Sequence, residues 1–215
     1  MSPERETMKR YVMRSEINPF HDIRHSHGKC VLMHLAQAAF NNTTFRIFRK
    51  GSSGRLREFV TDKIGDGRRF TSRRDFEMEH AKLLRQFPRA IRLNANTRYR
   101  KPSFGHKAKV IDLYLKILFI QREPLDAATA KRLGKRLHVP LDNIVLKSVW
   151  KDFSQQLEAT GVAKRDLSLS KLSKKHYRTI QETIASHAKQ AGTVAILYDD
   201  RYTVGSEQNR RYLGR

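Results

Sequence analysis

The sequence is short of cysteine, of carboxylates and of long apolar runs, and each shortage excludes something. A single cysteine, Cys30, in 215 residues rules out an intrachain disulfide and suits a reducing compartment. The longest apolar run, Val110 to Ile120, is broken by Asp112 and Lys116 and falls short of a membrane span. No lipidation motif is visible. The first residues, Met1-Ser-Pro-Glu-Arg-Glu, lack the apolar region of a signal peptide. These features read as an intracellular, cytoplasmic protein with no membrane partner. There is no Walker-type phosphate loop, no serine nucleophile elbow and no CxxC pair, and no cofactor is implied. Internal repeats and low-complexity tracts are also missing.

The shortage of acid is the strongest of these signals. Against 44 lysines and arginines stand 21 aspartates and glutamates, for a formal net charge of +23. Such an excess strains a compact fold by self-repulsion unless a polyanion offsets it. The expected partner is DNA or RNA, held through its phosphates. An acidic protein partner, with the chain in a structural or assembly role, is the alternative that the same charge allows.

Hydrophobic residues make up 39%, slightly low, but they are clustered in periodic blocks that predict a mainly α-helical, multi-helix domain. Asn18-Pro19 marks a helix start. Cys30 to Phe40 is almost wholly apolar and predicts a buried helix, and Thr43 to Phe48 a short extended piece. Gly51-Ser-Ser-Gly54 reads as a hinge, followed by a helix with Leu56, Phe59, Val60 and Ile64 inward, which Gly65-Asp-Gly67 breaks. Ser72-Arg-Arg-Asp75 resembles a capping box. The helix it opens carries Phe76, Leu83, Leu84 and Phe87 and stops before Pro88.

A basic loop spans 88–104, and the long apolar helix runs from Gly105 to Gln121. Asp126 is expected to cap a basic helix reaching Leu137, and Pro140-Leu-Asp142 to start another with Ile144, Val145, Val149 and Phe153 inward. Ser170 is expected to cap a last long helix. Thr193 to Val204 reads as a small hairpin turning at Asp199-Asp200. The organisation expected is an N-terminal helical segment (1–50), a helical body (51–192) and a basic C-terminal tail (193–215), forming one domain overall. Oligomeric state is not legible.

The candidate nucleic-acid surface centres on Arg98, Tyr99, Arg100, Lys101, Ser103, His106, Lys107 and Lys109, where cations alternate with aromatics. Cations neutralise phosphates, and Tyr99 or Phe104 stacked on a base is worth about 1–3 kcal/mol. Phe104 by itself reads as core. Ser103 and the amides opening the next helix are candidates to hold a phosphate. Lys131, Arg132, Lys135 and Arg136 extend the surface. A second cluster, His21, His25, His27, Cys30 and His34, has helical spacing but an incomplete zinc pattern, and no metal is assigned. Asp75, Glu77, Glu79 and His80 read as helix-start acids rather than a nuclease centre.

Gly105-His-Lys-Ala-Lys109-Val-Ile-Asp112, followed by Val139-Pro-Leu-Asp142 at a helix start, resembles the helix-hairpin-helix DNA glycosylases over residues 103–150. That family has a glycine-rich hairpin, a catalytic lysine in a Lys-Val-Ala-Asp-like run, and a catalytic aspartate in a Val-Pro-Val-Asp segment. The family hairpin has two glycines, where Gly105 stands alone here, and the interval from Lys109 to Asp142 is longer. The resemblance implies a base-excision enzyme. Lys109 would attack the sugar of a flipped nucleotide, and Asp142 would stabilise the positive charge that develops.

Overall fold

The computed structural model describes residues 28–40, 47–94, 100–121 and 125–204. It is mainly helical. The described residues form eight α-helices: α1 Gly28–Ala39, α2 Ser52–Lys63, α3 Arg73–Gln86, α4 Phe104–Gln121, α5 Ala127–Gly134, α6 Asn143–Ala159, α7 Lys174–Gln190 and α8 Leu197–Val204. Two 3-10 turns, Arg68–Phe70 and Lys164–Asp166, sit between them. The one β feature among the described residues is an isolated antiparallel bridge between Phe48 and Leu93. No described helix is long and apolar enough to cross a membrane. The helix expected after Asn18-Pro19 lies outside the described residues.

The chain divides into two compact units. The first comprises Met1–Pro102 and Val110–Leu137. In it α1 packs on α2, with Leu35, Ala36, Leu56 and Val60 buried. Gly51 caps α2 at φ 86°, so Ser52 to Gly54 form its first turn and not a hinge. The physical reason is that the first turn has no carbonyl partners for its amides. Serine and glycine cost little there once Leu56 and Phe59 are drawn inward. Gly65 and Gly67, at φ 63° and 76°, then end the helix. A Cβ on Gly67 would stand 3.0 Å from the Leu118 methyl, and at φ 76° any side chain there would be strained.

Ser72 caps α3 by accepting from the Asp75 amide at 3.1 Å. Phe76, Leu83 and Phe87 are buried, and Phe87 meets Phe59 edge-on at 5.4 Å. On α4, Ile111, Tyr114, Leu115 and Leu118 are fully buried. The Tyr114 hydroxyl donates to Gly65 O at 3.2 Å, and burial, helped by the charge of Asp66, pushes it above the ordinary tyrosine range. Asp112, which interrupts the apolar run, meets buried His80 at 2.9 Å. The acidic residues of α3 have separate local roles. Asp75 serves the cap, Glu79 lies 3.4 Å from both Arg69 and Lys82, and His80 turns to Asp112. Asp126 caps α5, which stops at Gly134 rather than Leu137. A Cβ on Gly134 would run into the Phe119 ring.

The second unit comprises Ser103–Lys109 and His138–Arg215. Here α6 packs against α7 and α8. Val145, Leu146, Val149 and Leu157 from α6 and Ile180 and Ile184 from α7 are fully buried. Gln181 is buried on α7 and bonds the backbone of Val139 twice, accepting from its N–H at 2.9 Å and donating to its carbonyl at 2.8 Å. Ser173, not Ser170, caps α7. Leu172 is buried in the preceding turn, which leaves the next serine to take the first free amide, that of His176.

The expected hairpin at Thr193–Val204 is not formed, because residues 197–204 are helical. Tyr198 and Tyr202, four apart, are both buried, and Asp199-Asp200 falls in the first turn, where negative charge suits the helix dipole. Tyr198 bonds His187, and the Tyr202 hydroxyl donates to Asp152 at 3.0 Å. Helical spacing of aromatics thus outweighs the β-branched residues upstream.

Candidate nucleic-acid interface

In the first unit, Arg100 and Lys101 are exposed at the end of the basic loop. The loop is fastened there by Leu93 N donating to Arg100 O at 2.9 Å. Arg98 and Tyr99 lie outside the described residues. On α5 and the turn after it, Lys131, Arg132, Lys135 and Arg136 line the outward side, while Ala130, Leu133 and Leu137 are buried. Arg132 donates to Thr129 Oγ1 at 2.9 Å. Among the described residues no carboxylate pairs with Lys131, Lys135 or Arg136. At the start of α5 the Asp126 carboxyl is held below its ordinary value, first by the Thr129 hydroxyl and then by the Thr129 amide.

In the second unit, the start of α4 is engaged by the chain itself. The Ser103 hydroxyl donates to Leu169 O at 2.6 Å and lies 2.7 Å from His106 Nδ1. Gly105 is buried in the first turn of α4. A Cβ there would stand 2.6 Å from Leu169 O and 3.1 Å from Leu172 Cβ. Glycine is needed for this close approach of backbone to backbone. Phe104 is half-buried and meets Tyr177 edge-on at 5.3 Å. His106 is buried, and its imidazole is lowered to about 4, chiefly by burial and then by the charge of Lys109. At neutral pH it is an uncharged hydrogen-bonding group, not a phosphate-binding cation. Lys107 is half-exposed.

Lys109 and Asp142 meet. Lys109 Nζ donates to Asp142 Oδ2 at 3.5 Å, with the side chains 15% and 26% exposed. The other carboxylate oxygen, Oδ1, caps α6 by accepting from the amides of Ile144 at 2.8 Å and Val145 at 2.9 Å. One carboxylate therefore fixes a helix end with one oxygen and faces an amine with the other. Sequence reading missed what holds it there. The pair of hydrogen bonds between Gln181 and the Val139 backbone fixes the non-helical approach to Asp142, and nothing local in the sequence signals it.

Of the histidine and cysteine cluster, His21, His25 and His27 lie outside the described residues, and Cys30 and His34 are placed in α1 by backbone alone. No family model, no curated protein and no solved structure matches this chain.

Proposed function

We propose that this protein binds nucleic acid through its phosphates. The observation that carries the reading is charge: a formal excess of +23, with outward-facing cations on the loop at Arg100 and Lys101 and along α5. Phosphate contacts release counterions, so affinity depends steeply on salt. Titration of duplex and single-stranded probes at several salt concentrations tests this, and a flat dependence sinks it. Replacing Arg98, Arg100 and Lys101 together weakens binding alike across sequences, because phosphate contacts carry no sequence information.

A second reading is a base-excision activity resembling that of the helix-hairpin-helix glycosylases. The 3.5 Å approach of Lys109 to Asp142 favours it, since both chemical roles need the two groups in one place. Lys109, as the free amine after passing its proton to solvent, bonds to C1′ of a flipped nucleotide as the N-glycosidic bond breaks and the base leaves with the electron pair, and Asp142 stabilises the cationic sugar. Borohydride trapping on duplexes with abasic or damaged sites tests it. Absence of a covalent adduct, with Lys109→Ala indistinguishable from wild type, removes this reading and leaves the first intact.

A further inference from the structure

We infer that the second unit carries a phosphate-contacting surface of its own, formed by Lys164, Arg165, Lys171, Lys174, Lys175 and Arg178, which holds a nucleic-acid backbone without reading bases. The inference rests on the nucleic-acid reading above and adds to it a site that the basic loop and α5 do not include.

All six cations are exposed, and among the described residues none is paired with a carboxylate. They belong to one locally folded piece of chain. The 3-10 turn Lys164–Asp166 leads into a tight turn in which Lys171 N and Leu172 N both donate to Ser168 O, at 3.0 and 2.9 Å. Lys171 Nζ reaches back to Arg165 O at 3.4 Å, which draws the lysine ammonium to the backbone of the 3-10 turn. Lys174 and Arg178 lie four apart on α7 and so share a face.

The sole carboxylate from 164 to 178, Asp166, is spent locally, accepting from Ala163 N at 3.2 Å. Residues 164–178 therefore carry six lysines and arginines against one carboxylate, and Glu182, one turn beyond Arg178 on α7, forms no ion pair with it among the described residues. Lys174 and Lys175 further occupy a first helical turn that has no acidic residue, where positive charge is disfavoured. The surface is made by these six side chains, and the helix end only raises the penalty that a bound polyanion relieves. Stacking on bases by a tyrosine is not available, because Tyr177 is buried and bonded to His138 at 2.9 Å, and the stretch holds no other Phe, Tyr or Trp. A stretch of exposed cations with no stacking platform suits contact with phosphates, which carry no sequence information.

The test uses the full chain and a short duplex of random sequence, with anisotropy read at several salt concentrations. Replacing Lys171, Lys174, Lys175 and Arg178 with glutamine is expected to weaken binding and lower the salt slope by about 1 for each phosphate that is no longer neutralised. Wild-type binding with an unchanged slope in this variant overturns the surface while leaving the general reading standing. Failure of wild type to bind any probe overturns both. Binding to polyglutamate as tight as to the duplex overturns the choice of nucleic acid in favour of an acidic protein. A second variant, K174E with K175E, separates charge from folding. It suits the dipole of α7, so the melting temperature holds or rises while affinity falls, whereas a parallel fall of both overturns the proposal.

Discussion

Pro-Leu-Asp occurs twice in this chain, at 124–126 and 140–142, and opens a helix both times. Asp126 spends its carboxylate within its own turn, taking the amide and the hydroxyl of Thr129 at 2.8 and 2.7 Å. Asp142 takes two amides with one oxygen and leaves the other to Lys109, 33 residues away. Its leader, Val139, is fully buried and bonded by Gln181. The same three residues therefore give the same local result and two different chemical settings. A cap is a property of the tripeptide. A carboxylate facing an amine is a property of what the rest of its unit brings up to it.

Removing the support of one copy is the most severe way to break the comparison. Gln181→Leu leaves the buried N–H and C=O of Val139 unpaired, at a cost of roughly 2–4 kcal/mol in denaturant unfolding, and no change at Thr129 has a counterpart to this. Asp142→Ala comes next. It removes two cap bonds and strands a largely buried ammonium, costing about 1–3 kcal/mol, and the matching change at exposed Asp126 is expected to lower the melting temperature less.

Acidity sharpens the contrast further, because the neighbourhood of Lys109 contains a titrating reporter. The folded pKa of His106, about 4, lies below the ordinary 6.5, so the folded state refuses a proton that the unfolded chain accepts. Its contribution is full above pH 6.5 and is lost as pH falls toward 4. The loss is about 1–2 kcal/mol after allowing for solvent screening. His106→Gln flattens that part of the stability–pH curve, and Lys109→Met raises the His106 pKa toward 6.5 in an NMR titration. The smallest effect is the Lys109–Asp142 coupling itself, about 0.5–1 kcal/mol in a double-mutant cycle. A coupling of zero would mean that the two groups are neighbours without being partners.

Much of the helical framework was legible because it is written locally. Ser72, Asp126 and Asp142 cap where a short polar side chain precedes an apolar period, and Leu56, Phe59 and Val60 are buried as their spacing demands. Errors arose where two local signals competed. Ser170 and Ser173 are equivalent as caps, and burial of Leu172 decided between them. Val194 to Tyr198 has strand-like residues, yet Tyr198 and Tyr202 fix a helix by reaching His187 and Asp152. At the candidate sites, the α5 cations were legible as a basic helix, and the structure sets them opposite buried Ala130, Leu133 and Leu137. The engagement of Ser103 by Leu169 and the neutral state of His106 were not legible, since one depends on chain 66 residues away and the other on burial that no short window encodes.

The amide of Gln181 presents an acceptor and a donor to one residue, as the edge of a sheet would. A fold built of helices can in this way lodge a non-helical piece of main chain in its interior without supplying a ribbon beside it. The pairing of that piece then rests on a single side chain, 42 positions downstream. A comparison of related chains that weighed only residues near 139 would overlook the position on which its geometry depends.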